Sequence, residues 1–269
     1  MKIVTPEISK LSVIYRVLNY FPIKNNVIKF LFQKYVDYCN NDNNIDINSN
    51  GELFFIKKYL NKFKIVFDVG ANVGEWSELV LKLNENIKIH SFEPSKYTFK
   101  ILKSNLGGRQ RVELNNLALG EKFEKRNLYK IEDGAGINSA YIRRGVSNWD
   151  VNKISSDEIE VDTVDNYMKK KKINEVSFVK IDVEGCEIEV LRGMKFTLMK
   201  KNVKFVQVEY GGTYIDSKRY LKDVFDIALE NKYFVYKIMQ SGLIRCDKYL
   251  QKYENFQYSN WLLSSENLG

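Results

Sequence analysis

The sequence holds one histidine, His90, among its 269 residues. Ser-His-Asp catalysis, Cys-His catalysis and any His-rich metal site would all depend on that single side chain. It falls in an expected strand, Ile87–Glu93, where a packed or solvated histidine is the common case. Cysteine is also scarce: Cys39, Cys186 and Cys246 lie far apart and form no C-x-x-C pair. A zinc knuckle or a disulfide framework is therefore not expected, and a reducing cytoplasmic compartment is the default. No apolar run approaches the roughly 18 residues of a membrane-crossing helix. The opening stretch Met1–Glu7 has no apolar core of signal-peptide length.

Charge is plentiful by contrast. The 42 basic and 34 acidic residues leave a net charge of +8, which suits an acidic substrate, a membrane surface or nucleic acid without choosing among them. No RNA-binding aromatic motif accompanies that charge, so nucleic acid is not an expected partner. The length is enough for one large α/β domain with an extension.

One stretch organises the chain, Lys64-Ile65-Val66-Phe67-Asp68-Val69-Gly70-Ala71-Asn72-Val73-Gly74. Its apolar opening suits a strand buried on both faces. Two glycines follow, and from Glu75 a helical pattern places Trp76, Leu79, Val80 and Leu83 on one side. Strand, glycine turn and helix are how doubly wound α/β domains build a nucleotide site. A dinucleotide fingerprint needs glycine where Asn72 stands, so a nucleotide-dependent oxidoreductase ranks low. The Asp68 carboxylate would repel a phosphate but suits a cation. S-adenosylmethionine carries an ammonium and a sulfonium and no phosphate. The plain alternative is a buried turn that binds nothing.

Further acids fall at expected strand ends. Glu93 follows Asp68 by one helix, which places it at the end of the neighbouring strand, where an acid can accept both ribose hydroxyls of an adenosine. Pro94 stops that strand, and Ser95 is a candidate cap for a helix over Tyr97–Asn105. A third strand is expected over Arg111–Leu119, with Asn116-Leu117-Ala118 beside an adenine. Asp182 ends the run Ser177–Asp182, and Glu209 ends Val203–Tyr210. Helices are expected from Cys186 to about Met199 and over Ser217–Asn231, then strands around Phe234–Met239 and Asn260–Leu263. Leu128-Tyr129 and Ile159–Asp162 suggest short strands, and Asp133–Trp149 reads as an irregular, substrate-side or flexible loop.

Residues 1–49 form an N-terminal helical extension and an Asn-rich linker, ahead of a main domain over 50–269. Apolar stripes recur at helical spacing over Ser9–Tyr38, interrupted at Pro22, with Lys24, Lys29 and Lys34 at their edge. This segment is either a helical pair packed on the main domain or an amphipathic surface for a membrane or for self-association.

Several pieces fall in the order of a known family: Asp68–Gly74, Phe92-Glu93-Pro94, Asn116–Gly120, Val161-Asp162-Thr163-Val164-Asp165, and Val179-Lys180-Ile181-Asp182-Val183-Glu184-Gly185. Over roughly 50–265 the chain resembles the FkbM family of S-adenosylmethionine-dependent methyltransferases. The resemblance implies a Rossmann-like α/β fold with a seven-stranded sheet, mostly parallel with an antiparallel last strand and helices on both faces. It also implies S-adenosylmethionine as cofactor and methyl transfer to a hydroxyl of a sugar, glycan or small natural product. Carried over by position, Asp68, Gly70, Ala71, Asn72 and Gly74 would surround the methionine part. Glu93 and Pro94 would hold the ribose, Asn116, Leu117 and Ala118 would face the adenine, and Asp182 would border the methyl group. Where many members read Ser-Ser-Leu, this chain reads Ile137-Asn138-Ser139-Ala140, a departure on the substrate side.

With His90 misplaced, a base for the hydroxyl proton must be a carboxylate: Asp182 first, then Glu184 or Glu209. Glu184 is alternatively a cap for the helix that follows. No metal is expected, although Asp182 and Glu209 are oxygen ligands of the kind Mg²⁺ prefers. The rival of another class is a noncatalytic protein that binds S-adenosylmethionine or nucleic acid.

Overall fold

The computed structural model describes residues 12–13, 15–16, 26–130, 139–142 and 154–269. The chain divides into two compact units, Met1–Asp42 and Asn43–Gly269. In the first, a helix spans Asn26–Asn40. The expected break at Pro22 and most of the expected loop Asp133–Trp149 lie outside the described residues.

The second unit is built on an eight-stranded sheet. In chain order its strands are β1 (Ile65–Val69), β2 (Lys88–Phe92), β3 (Val112–Asn115), β7 (Val176–Ile181), β8 (Val203–Tyr210), β9 (Phe234–Met239), β10 (Gly242–Arg245) and β11 (Ser259–Ser264). In space the order is β10-β9-β11-β8-β7-β1-β2-β3. β3, β2, β1, β7 and β8 pair in parallel, while β11 runs antiparallel to β8 and β9. That is the expected doubly wound fold with an antiparallel last strand. The eighth strand, β10, is a hairpin return of β9 that extends the edge.

Buried apolar rows explain why these runs are strands. Val66, Phe178, Phe205 and Leu262 face one layer of helices, Glu52–Tyr59, Glu75–Leu83 and Lys96–Leu106. Phe67, Val179, Val206 and Leu263 face the other, with helices Val164–Lys171, Glu187–Arg192 and Leu221–Glu230. Phe178 stacks between Phe63 at 5.0 Å and Trp76 at 5.6 Å. Each such fully buried side chain contributes roughly 1.5–3 kcal/mol.

Three expectations need correction. The run Arg111–Leu119 is not one strand: it breaks at Asn116-Leu117, and Ala118-Leu119 (β4) joins a separate sheet of order β4-β6-β5, with β5 at Glu124–Lys130 and β6 at Ser155–Asp162. The expected helix Cys186–Met199 is two, Glu187–Arg192 and Lys195–Met199, divided at Gly193-Met194. The helix expected over Ser217–Asn231 begins only at Leu221 and runs to Glu230, while Ser217 ends a separate short helix, Thr213–Ser217. Other local signals stand: Ser95 caps the helix that begins at Lys96, and Thr163 caps the one that begins at Val164.

At the end of β1 the backbone turns through Gly70 at φ +86°, where an added Cβ would lie 1.7 Å from the Asp182 carbonyl oxygen. The conformation and the contact with β7 both require glycine. We therefore expect Gly70→Ala to destabilise the protein by roughly 1–3 kcal/mol from conformation alone, with the clash adding to it. Gly242→Ala, where a Cβ meets nothing within 4 Å, should stay within about 0.5 kcal/mol of wild type. Urea unfolding of both variants checks this, and comparable midpoints would refute it.

Candidate active site

Beyond the carboxyl ends of β1, β2, β7 and β8 lies a cavity of about 580 Å³, within the range of small-molecule sites. In an open α/β sheet this crevice is where ligands bind. Gly70 and Asn72 line it after β1, Glu93 and Pro94 after β2, and Leu117 and Ala118 where the chain leaves β3. Asp182 and Glu184 line it after β7, and Glu209 at the end of β8. These nine residues are the expected ones that the structure brings together.

Four others stand behind the wall. Asp68 is fully buried, and its Oδ2 accepts the Ser77 hydroxyl at 2.6 Å. Ala71 is buried and donates its N–H to the Phe92 carbonyl at 2.9 Å. Gly74 sits where an added Cβ would come within 2.7 Å of Leu102 and Leu106, so it serves helix packing. Asn116 donates from Nδ2 to the carbonyls of Glu93 at 2.9 Å and Pro94 at 3.0 Å, and so fixes the Glu93 backbone.

Glu93 joins the glycine turn to the end of β2. Its Oε2 accepts the Asn72 N–H at 3.1 Å and its Oε1 accepts the Ser95 N–H at 2.8 Å. Asn72 itself adopts φ +48°, a conformation asparagine tolerates better than most residues. Burial pushes the Glu93 carboxyl up to about 7, against the pull of those two N–H donors.

The acids on the β7–β8 side are held differently. Lys180 is buried and its ammonium donates to Asp182 Oδ2 at 2.7 Å. Burial alone would disfavour that charge, but Asp182, Asp68 and Glu52 together hold Lys180 firmly protonated. The register explains the grouping: Ser91, Asp68, Lys180 and Gln207 pair across β2, β1, β7 and β8, so they share one face of the sheet. On that face Glu52 accepts from Gln207 at 2.7 Å and from Asn260 at 3.0 Å. Glu209 is pushed well above the usual carboxylate range by burial and by the nearby charges of Asp182, Glu184 and Glu187.

Glu184 does not cap the helix that follows, which has no side-chain cap; Glu187 at its start accepts the N–H groups of Val183 at 3.0 Å and Gly185 at 3.1 Å and so braces the turn before it. Glu184 instead turns the backbone at φ +54°. Its carbonyl accepts the Ser139 hydroxyl at 2.6 Å, which ties Ser139 to the site wall; Ile137 and Asn138 lie outside the described residues. His90 is buried away from the cavity, with Nδ1 2.8 Å from the Tyr167 hydroxyl, and burial lowers it to about 4. It is a neutral packed ring, as its strand position implies.

Residues not expected at the site complete the wall. Arg126, Leu128, Ile159 and Val161 come from the small sheet, and Arg126 is paired with Glu189. Gly211, Gly212, Thr213 and Tyr258 lie on the β8 side. So does Ile45, an exposed apolar residue in the Asn-rich stretch. That stretch is ordered by side-chain turns: Asn44 Oδ1 accepts the Asp46 N–H at 3.3 Å, and Asp46 Oδ1 accepts the Asn48 N–H at 3.0 Å. Two isoleucines, Ile45 and Ile47, amid Asn and Asp are the available signal. Among the described residues no group of three or more His, Cys, Asp or Glu side chains is placed to hold a metal ion.

Known proteins bear on this geometry. The model of the Methyltransferase FkbM domain matches residues 68–236. The chain belongs to this family. Two curated family relatives are similar to it. One is 2-O-methyltransferase NoeI of Sinorhizobium fredii, 22% identical over 54% of this chain and 63% of that protein. The other is hexuronic acid methyltransferase AglP of Haloferax volcanii, 25% identical over 55% of this chain and 56% of that protein. The chain thus matches less than two thirds of the length of either. A crystal structure of methyltransferase FkbM from Methylobacillus flagellatus is 15% identical, with a TM-score of 0.47, over 75% of this chain and 44% of that one.

Two outcomes test the electrostatics. Lys180→Met leaves several buried acids unpaired and should cost roughly 3–5 kcal/mol, while adding Asp68→Asn should recover part of the loss. Urea unfolding showing the single variant within about 0.5 kcal/mol of wild type would refute the role given to Lys180. Glu93 titrates at 4.5 when unperturbed and near 7 here. Between those values the folded chain keeps a proton the unfolded chain has lost, so Glu93 makes stability fall as pH rises from about 4.5 to about 7. Melting temperatures across that range should decline less steeply in Glu93→Ala.

Proposed function

We propose that this chain transfers a methyl group from S-adenosylmethionine to a hydroxyl of a sugar, a glycan or a small natural product. The observation that carries the reading is the flanking of the Gly70 turn by Glu93 on the β2 side and Asp182 on the β7 side, both lining one cavity. The names of the two curated relatives, one a 2-O-methyltransferase and one acting on hexuronic acid, support a sugar acceptor. The +8 net charge suits an acidic one.

The site fits that cofactor by its chemistry. Each Glu93 oxygen already accepts one backbone N–H and retains a lone pair for a ribose hydroxyl. Leu117 and Ala118 offer an apolar wall to an adenine. Gly70 and Asn72 bring backbone, with little side chain, to the methionine end. When bound, the cofactor supplies a methyl group already activated on a sulfonium. The protein's own task is then to align the acceptor, exclude water and handle one proton.

Asp182 handles that proton. Lys180 engages its Oδ2, which fixes the carboxylate and leaves Oδ1 to take the proton of the acceptor hydroxyl. Burial and the neighbouring acids push Glu209 toward its neutral form, which suits it to donate a hydrogen bond to the acceptor and leaves Asp182 as the base. Glu184 stands beside them as the third carboxylate. Ile45, Thr213 and Tyr258 flank the acceptor side, and the small sheet closes the other. A cytoplasmic setting accords with three free cysteines, Cys39, Cys186 and Cys246.

Calorimetric titration should give micromolar or tighter binding of S-adenosylmethionine and its demethylated product, about −8 kcal/mol at 1 μM, and none with NADH or short RNA. Flat titrations with both cofactor forms on folded protein would overturn the reading. Affinity should strengthen as pH rises through about 7, where Glu93 ionises. Glu93→Ala should weaken it by roughly 2–3 kcal/mol, the scale of two charge-assisted hydrogen bonds.

Once an acceptor is found by screening with labelled cofactor, Asp182→Asn should lower turnover by about a hundredfold or more while cofactor affinity changes less than about tenfold. The amide keeps an oxygen for Lys180, so the fold should persist. Near-normal turnover would remove Asp182 as the base.

A further inference from the structure

The helix Asn26–Asn40 is apolar around most of its surface, with one narrow polar strip. At about 100° per residue, Val27, Ile28, Leu31, Phe32, Tyr35 and Tyr38 fall on one half of its surface. All six are exposed, between 41% and 70%. The other half holds the polar strip, where Gln33 and Asp37 are joined by a hydrogen bond of 2.8 Å, and also Phe30 and Val36, which are exposed as well. Lys29 and Lys34 sit on either side of that strip, and the Lys34 ammonium lies 3.8 Å from Asp37 Oδ2. So much exposed apolar surface on one helix marks an interaction face.

We propose that this face lies flat on an anionic phospholipid bilayer. The placement of charge selects that occupant. Two lysines that bracket an apolar half can bury their stems in the headgroup layer and keep their ammonium groups at the phosphates. Tyr35 and Tyr38 are amphipathic side chains of the kind that settle at the same level. The surplus of 42 basic over 34 acidic residues adds a general attraction to an anionic leaflet. With 15 residues the helix is about 22 Å long, short of the roughly 30 Å of a hydrocarbon core, so it lies in the plane. No helix among the described residues is long and apolar enough to cross a membrane.

The test is co-sedimentation of the full chain with vesicles of about three parts phosphatidylcholine to one part phosphatidylglycerol, beside pure phosphatidylcholine. The chain should pellet with the first far more than with the second, and salt near 1 M should release much of it. Lys29→Glu and Lys34→Glu should each lower the bound fraction's partition constant at least about fivefold. Leu31→Glu with Phe32→Glu should abolish retention with an unchanged melting transition. Leu31→Gln, a milder change, should lower retention if the double variant fails to fold. A wild-type chain that stays in the supernatant with anionic vesicles overturns the proposal. So does retention that is equal on both vesicles. Light scattering that shows a wild-type dimer, a monomeric double variant and no vesicle retention would assign the face to a second copy instead.

Discussion

A single buried ammonium holds the central part of this molecule together. Lys180 stands in the middle strand pair with Asp68 across from it on β1, Asp182 two residues along its own strand, and Glu52 approaching from the helix Glu52–Tyr59. Removing a charge from water is expensive, and partners must repay it with close geometry. Here one cation serves three acids at once. The same contact that settles the interior also fixes Asp182 at the cavity wall, so stability and chemistry share one interaction.

Much of the fold was legible from residues alone. The βα turn at Gly70, the acids at the ends of β1, β2, β7 and β8, and the Ser95 and Thr163 caps are local signals with local causes. Their spacing fixes which strand carries which residue. The division of Arg111–Leu119 was not legible, because Leu117, Ala118 and Leu119 are apolar enough to continue a strand. What separates β3 from β4 is Asn116, whose side chain satisfies the Glu93 and Pro94 carbonyls instead of the ladder. A side-chain hydrogen bond to a distant strand leaves no periodic trace. The division of the expected helix Cys186–Met199 has a related reason: at Gly193 an added Cβ would lie 1.9 Å from the Gly120 carbonyl oxygen, a tertiary contact.

The candidate site was legible in the same measure. Nine expected residues line the cavity because strand ends converge by topology. Asp68, Ala71, Gly74 and Asn116 belong to the motif but support it from behind. A motif records what must be kept and does not separate ligand contact from scaffold. Lys180 lay within a quoted motif and its role still went unread, since its partners Glu52 and Asp68 come from other elements. Arg126 and Ile45 carried weak signals because each enters through a segment that has little periodicity of its own.

The break at Asn116-Leu117 has a broader consequence. It hands the chain from the main sheet to a second one, β4-β6-β5, whose strands pair only with each other among the described residues. The cavity therefore has a floor of strand ends locked into an eight-stranded ladder and a wall borne on an independent three-stranded support. A substitution in the floor is felt by five parallel strands and two apolar layers. One at Arg126 or Leu128 lies on β5, which has β6 as its neighbouring strand, and one at Ile159 lies on β6, between β4 and β5. Such a division lets the outline of the cavity wall change while its floor stays as it is.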